Sequence, residues 1–282
     1  MTLRIDAHQH FWRYQAQEYG WISDEMVRLK QDFMPEHLKG KLASEGLSGS
    51  VLVQARQTPE ETHWLLDVAK ETPEVKAVVG WIDMQNDDIG QQLDAFQDRP
   101  QLRGFRHQIQ DEASPAHWMG LQSVSDSLHL VQQRSYVWDL LVTHRHLAEA
   151  AAFAARHDRH HLVLDHLGKP DLALGARHWA KQIAPLAALP HVSCKLSGLL
   201  TEPRPAGFTL NDLLPFIDAA LESFGSDRLM AGSDWPVCLL AGEYEDAWQG
   251  VQRAISSLSV SEQQAISGGN ACRIYRIEDV EA

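Results

Sequence analysis

Cysteine is scarce in this sequence, positive charge is in deficit, and long apolar runs are missing. The three cysteines, Cys194, Cys238 and Cys272, are far apart, odd in number and outside any CxxC spacing. That usage favours a reducing compartment with mostly buried thiols, and Cys194, set in an apolar run, reads as a small packing residue rather than a nucleophile. No apolar run reaches the ~18 residues of a membrane span, and the N-terminus lacks the basic-then-apolar pattern of a secretion signal. A soluble, cytoplasmic protein is expected. Lysine and arginine number 25 against 38 acidic residues, a formal net charge of −13. Such a balance argues against nucleic acid or an anionic membrane as partner. An acidic substrate stays open, since a local Arg/Lys pocket can outvote a global average.

What is present is a globular composition, 44% hydrophobic and 22% charged, over 282 residues. That length can bury a substantial core, as two ordinary domains or as one α/β barrel. The chain opens on Leu3-Arg4-Ile5-Asp6-Ala7-His8-Gln9-His10, a short strand with two imidazoles at its end. Alternation on an extended backbone turns His8 and His10 to one face, where they can converge on a divalent metal or on a water held for proton transfer. In a chain with 15 histidines an HxH also arises by chance, so the rest of the sequence must decide.

The later strands repeat the pattern. Phe11 to Pro35, rich in aromatics and charge, is too long for a tight connector and too apolar for a flexible linker; it reads as an ordered loop or lid, or as a flap packed on the body. Ser50–Gln54 is a second strand, delivering Gln54 and Arg56 to its end, and Val75–Trp81 is a third. Leu102–Gln108 is a fourth, carrying Arg103, Arg106 and His107. A buried strand has no reason to hold that charge unless it converges on an anion or polar-oxygen pocket, or braces a rim through salt bridges. Tyr136–Val142, His161–His166, Val192–Leu196 and Arg228–Asp234 complete the series, the sixth ending in Asp165-His166 and the eighth in Asp234. Helices are expected over Glu36–Glu45, Pro59–Glu71, Asp87–Gln97, Trp118–Gln133, Arg145–His157, Leu210–Phe224, Tyr244–Leu258 and Ser261–Tyr275. None is assigned between the sixth and seventh strands.

Alternating strands and helices without an interdomain linker favour a parallel sheet. Eight strands in roughly 250 residues fit a closed (β/α)8 TIM barrel better than an open Rossmann sheet, and no GxGxxG follows the first strand. A single α/β barrel domain over residues 1–282 is therefore expected. The C-terminal strand ends of such a barrel face one opening, which gathers His8, His10, Gln54, Arg56, Arg106, His107, His166, Lys195 and Asp234 into one ring.

Five strings at these strand ends carry a family resemblance: Asp6-Ala7-His8-Gln9-His10-Phe11-Trp12, Arg103-Gly104-Phe105-Arg106-His107, Leu164-Asp165-His166-Leu167-Gly168-Lys169-Pro170, Cys194-Lys195-Leu196-Ser197-Gly198 and Gly232-Ser233-Asp234-Trp235-Pro236. On them the chain resembles the amidohydrolase superfamily, and within it the sugar-lactone hydrolase branch of L-fucono- and L-rhamnonolactonases, related to 2-pyrone-4,6-dicarboxylate lactonase. The likeness runs on through Gly269-Asn270-Ala271, Arg273 and Tyr275. It implies an enzyme that opens the ester ring of a sugar-derived lactone. It also implies at most one metal ion, zinc first among the candidates, held by some of His8, His10, His166 and Asp234. Binuclear members carry a bridging lysine or glutamate after the fourth strand and metal histidines after the fifth and sixth; this chain has Arg106-His107 and Trp138-Asp139-Leu140 after its fourth and fifth. The lactonase branch implies that even one metal is dispensable, with Arg106 and Lys195 polarising a carbonyl instead.

Opening a lactone needs a water deprotonated, a carbonyl polarised and the ring oxygen protonated. Asp234 is the expected base. His8, His10 and His166 then hold a metal or bind water and carbonyl directly, and Arg106, His107 or Lys195 stabilises the oxyanion. Gln54 and Arg56 are expected at the substrate. Trp12, Trp81, Trp138 and Trp235 offer walls for the apolar face of a sugar, or simple rim packing. The expected partner is a small-molecule sugar lactone, on a monomer or small homo-oligomer. Two other classes remain in play: a metal-dependent non-oxidative decarboxylase of the same superfamily, and a non-catalytic sugar-acid binder.

Overall fold

Eight parallel strands pair in chain order: β1 (Ile5–Gln9), β2 (Gly49–Val53), β3 (Val75–Gly80), β4 (Leu102–His107), β5 (Val137–Leu140), β6 (Leu162–Leu164), β7 (Val192–Leu196) and β8 (Leu229–Ala231). The computed structural model describes residues 3–207 and 209–278. Both ends of the expected 1–282 domain, and position 208 in the polar stretch from Thr201 to Thr209, lie outside the described residues. The ring is brought round where β1 meets the chain leaving β8. There the Asp234 N–H donates to His8 O at 2.9 Å and the His10 N–H to Trp235 O at 2.7 Å. The seam of the barrel and the expected site therefore share their backbone.

Alternation builds two apolar layers. Ile5, Ala7, Val51, Val53, Ala77, Val79, Val137, Val163 and Met230 fill the barrel interior, where Ala271, Ile274 and Tyr275 join them from the C-terminal segment. The intervening Leu52, Val78, Trp138, Leu162 and Leu164 pack outward beneath the helices. Burial on both faces is why these strands read as nearly continuous apolar runs.

Several helices depart from their expected outlines. Trp118–Gln133 becomes two, Pro115–Gly120 and Gln122–Gln133, broken at Leu121, whose ψ of 135° is extended. Ser261–Tyr275 divides into Val260–Gln264, a π turn at Ala265–Gly269, and Asn270–Ile274. Gly268 permits the break, because a Cβ there would fall 2.1 Å from Leu3 O on the approach to β1. A helix that sequence reasoning did not assign spans Ala176–Ala187 between β6 and β7 and buries Trp179, Ile183 and Leu186. Pro185 inside it disguises the pattern, since proline ordinarily ends a helix.

The long stretch after β1 is an ordered flap. Trp12 and Phe33 exchange backbone hydrogen bonds at 2.9 Å, the Trp12 Nε1–H donates to Gln31 O, and the Trp12 ring meets Trp21 and Phe33 edge-on. Cys194 is buried within β7, in its expected packing role. Among the described residues no helix is long and apolar enough to cross a membrane.

Candidate active site

The β1–β2 register shifts between Asp6 and Gln9, with one extra residue on β1. Ile5 and Ala7 face the barrel interior, so strict alternation would send His8 and His10 outward. The bulge re-aims both inward. Asp6 secures this turn from the other side: it accepts from Ser233 N at 2.9 Å, Ser233 Oγ at 2.6 Å, His8 N at 3.2 Å and Tyr244 OH at 3.2 Å. Burial pushes the Asp6 carboxyl up to about 6, against the pull of those bonds. It ties β1 to the turn that carries Asp234.

Three imidazoles meet one carboxylate oxygen. Asp234 Oδ1 lies 3.8 Å from His8 Nε2, 3.5 Å from His10 Nε2 and 3.9 Å from His166 Nε2. His166 and Asp234 both adopt left-handed backbone, with φ of 52° and 57°, and His166 opens a left-handed run through Leu167, Gly168 and Lys169. Each non-glycine residue in that region costs ~1–2 kcal/mol, and strain of this kind gathers at functional sites. Neighbours impose it. A Cβ on Gly198 would sit 2.7 Å from the His166 ring, and Ser197 Oγ lies 2.9 Å from His166 Nδ1.

Burial pushes His166 down to about 4, against the pull of Asp234 and Asp165. It also drives His8 well below the ordinary imidazole value, with Asp165 pulling the other way. Burial alone would raise Asp234, but His166, a hydrogen bond from His10 and the nearby His8 hold its carboxyl well below the usual range. An ionised carboxylate thus faces neutral His8 and His166.

This donor set fits one divalent cation. His8, His10 and Asp234 each offer a ligand atom within 4.8 Å of the others. His10 turns Nδ1 to Val53 O at 2.8 Å and His166 turns Nδ1 to Ser197, the outer hydrogen bonds that orient ligating imidazoles.

Beneath His8 lies a fully buried charged floor. Lys195 Nζ is 2.5 Å from Asp139 Oδ2, 3.0 Å from Asp165 Oδ1 and 3.2 Å from His8 Nδ1. Arg106 gives Nη1 to Asp165 Oδ2 at 3.0 Å and Nη2 to Gln54 O at 2.5 Å, and the Tyr275 hydroxyl donates to Asp139 at 2.8 Å. Burial raises Asp139, to about 6, against the pull of Lys195. Burial would raise Asp165 too, but Lys195, His8 and Arg106 hold it well below the usual carboxylate range. Lys195, expected at the substrate, is 0% exposed, and its three donors face floor partners.

Other expected contacts are also committed elsewhere. Arg56 pairs with Glu18 and stands 5.3 Å over the Tyr19 ring. Gln54 is fully buried and donates Nε2 to Arg106 O at 3.2 Å. His107 accepts from Trp81 Nε1 at 3.1 Å, pairs through Nε2 with Glu112 at 2.7 Å, and stacks on Trp118 at 4.4 Å. Trp12, Trp138 and Trp235 are at most 1% exposed, as rim packing requires, while Trp81 keeps partial exposure. Arg106 stays beside the centre, with its Nε buried and without a hydrogen-bond partner among the described residues.

Sequence reasoning gave no role to Asp6, Asp139, Ser197, Gly198 or Tyr275, and used Asp165 only as part of a string. The three aspartates did leave a signal, since a carboxylate inside an apolar strand is costly unless paired. Tyr275 left none.

A family match described as amidohydrolase covers residues 5–277. A protein named L-fucono-1,5-lactonase from Burkholderia multivorans is 44% identical over 289 residues, covering 99% of this chain and 97% of its own length. A second of that name, from Burkholderia ambifaria, is 39% identical over 283 residues, covering 99% and 97%. The crystal structure of a Burkholderia multivorans amidohydrolase with bound zinc superposes with a TM-score of 0.94 at 43% identity, covering 98% of this chain and 100% of that one. Dihydroxybenzoate decarboxylases at 14% and 15% identity share the fold alone.

Proposed function

The chain belongs to the amidohydrolase family, and on that premise we propose that it is a cytoplasmic, single-domain enzyme hydrolysing the ester ring of a sugar-derived lactone of the L-fucono- or L-rhamnono-lactone type. The full-length similarity to two L-fucono-1,5-lactonases carries this reading. The carboxylate among three imidazoles supports it.

Asp234 is the base. Its ionised carboxylate takes a proton from a water held against His10 and His166. The water oxygen attacks the lactone carbonyl, and the positive field of Arg106 stabilises the oxyanion. Asp234 then returns the proton to the ring oxygen as it leaves, giving the open hydroxy acid. His8, His10, His166 and Asp234 are the residues that would hold a divalent cation, zinc first among candidates, and when bound it supplies Lewis-acid polarisation and a more acidic water.

A pH-indicator screen over sugar lactones, with and without chelator, tests the reading. Proton release from an L-fucono- or L-rhamnono-type lactone is expected. No release from any lactone would overturn it, and chelator-sensitive loss of carbon dioxide from a carboxylic acid would establish the decarboxylase class instead.

A further inference from the structure

Of the four tryptophans at strand ends, Trp81 alone keeps part of its surface open; Trp12, Trp138 and Trp235 are buried. It follows β3, where Ala77 and Val79 face the barrel interior. Gly80 faces the other way, since a Cβ there would lie 2.5 Å from Thr62 Cγ2 in the helix Pro59–Glu71. Alternation therefore turns Trp81 inward, at the level of the mouth. The β3–β4 register pairs Val79 with Gly104 and Gly80 with Phe105, so the next step sets Trp81 beside Arg106. That guanidinium brings Nη1 to 3.3 Å from His8 Nε2.

Trp81 is held at three atoms. The Thr62 hydroxyl accepts from the Trp81 N–H and donates to the Trp81 carbonyl, both at 2.8 Å. The missing side chain of Gly80 leaves room for that approach. At the far end the indole Nε1–H donates to His107 Nδ1 at 3.1 Å. An indole nitrogen only donates, so this Nδ1 is bare and the His107 proton sits on Nε2, 2.7 Å from Glu112 Oε1. Burial also pushes His107 below the ordinary imidazole value, against the pull of Glu112. Stacking on Trp118, with centroids 4.4 Å apart and planes 13° from parallel, keeps the imidazole from turning.

A tryptophan held in this way has spent its one polar side-chain atom. What it still offers a ligand is a ring face, negative at its centre, which suits C–H groups and not hydroxyls. A sugar lactone supplies such groups. Each carbon that bears an oxygen also carries a C–H polarised positively, and these gather where the hydroxyls turn away.

We infer that Trp81 is the platform for the carbon–hydrogen face of the lactone, with His107 and Glu112 as positioning residues that set its ring. The substrate then lies with its carbonyl toward Arg106 and Asp234 and its C–H face on the neighbouring strand end. No bond forms or breaks at Trp81, so its contribution is binding, equal in ground state and transition state. The inference rests on the proposed lactone hydrolysis and names a contact that orients the substrate within it.

Steady-state kinetics on the full chain test it, with the L-fucono- or L-rhamnono-type lactone that the unsubstituted chain turns over best. Trp81→Ala is expected to raise KM about tenfold, the upper end of an aromatic contact. Its kcat should stay within about twofold, the signature of lost uniform binding. Trp81→Phe keeps a ring face without an N–H and should recover most of the loss. His107→Leu leaves the indole N–H unmatched and should raise KM about threefold, the scale of one neutral hydrogen bond. His107→Gln, whose amide can accept from Trp81 and donate to Glu112, should restore it, which packing alone would not. Three results would overturn the inference: an unchanged KM in folded Trp81→Ala, a fall in kcat without a rise in KM, or Trp81→Phe as impaired as Trp81→Ala. If Trp81→Ala does not fold, the His107 pair decides, and a wild-type KM in His107→Leu overturns it. Failure of the unsubstituted chain to open any lactone removes the proposed function and this inference together, whereas turnover with an unmoved KM removes this inference alone.

Discussion

The β1–β6–β8 side of the barrel mouth and its β2–β4 side carry similar residue types at similar strand ends, yet they differ in what their polar atoms have left to give. On the first side His8, His10 and His166 turn their Nε2 atoms to within 3.9 Å of Asp234 Oδ1. On the second, Arg56 is held by Glu18 and Tyr19, Gln54 by Arg106, and His107 by Trp81 and Glu112. A hydrogen-bonding group already paired with protein has little to offer a substrate, since a new contact must first break the old one. The contrast teaches that residue type and strand-end position make a candidate, and open valence makes a site.

The contrast can be broken most sharply at Asp234. Asp234→Asn keeps the shape of the carboxylate and loses its basicity, so kcat for lactone hydrolysis should fall by about 10²–10⁴-fold while Tm holds; near-wild-type turnover would place the base elsewhere. Next in size is the floor that supports the open side. Asp139→Ala leaves Lys195 buried with one anion fewer, and unpairing a buried charge costs about 3–5 kcal/mol, measurable by urea denaturation. A loss under about 1 kcal/mol would mean that Asp165 alone satisfies Lys195. Gly198→Ala tests the left-handed scaffold itself: a Cβ at φ 72° must push the His166 ring, which it would approach to 2.7 Å. Stability should drop by about 1–2 kcal/mol, and turnover with it. Unchanged kcat would show that His166 tolerates displacement.

On the saturated side the expected effects are small. Arg56→Met loosens one clamp of the flap, at about 1 kcal/mol or less for a partly exposed ion pair, and kcat/KM should stay close to wild type. A large rise in KM would return Arg56 to the substrate. The smallest contrast uses an imidazole remote from both sides. Burial pushes His157 from 6.5 down to about 4, so folding disfavours its charged form. Its contribution is intact above about pH 6.5 and is lost as pH falls toward 4, where the unfolded chain binds the proton and the folded one does not. His157→Phe should therefore show a shallower decline of Tm between pH 7 and pH 5 than the wild type, and equal declines would mean that His157 titrates normally in the folded state.

Much of this was legible beforehand, for reasons that can be located. The strands announced themselves as short apolar runs ending in polar residues, and β1, β6 and β8 delivered His8, His166 and Asp234 where those runs stop. The helix at Ala176–Ala187 escaped notice because of Pro185, and the break at Gly268 escaped because its cause is Leu3 O, distant in sequence. Lys195 read as a mouth residue because its neighbours in sequence are strand and loop; nothing local reveals that Asp139 and Asp165 wait for it inside.

The sequence by itself determined the eight-stranded α/β barrel, the strand ends that bear chemistry and the family whose strings they match. These follow from periodicity and from position along each strand, which are properties of neighbours in the chain. Only the tertiary structure decided which of those polar groups remain open, that a bulge turns His8 and His10 inward, and that a buried floor stands under His8. Such outcomes depend on hydrogen bonds near 3 Å between residues as far apart as His8 and Lys195. Contacts of that range form only once all the strands have closed on one axis, and no local pattern encodes them.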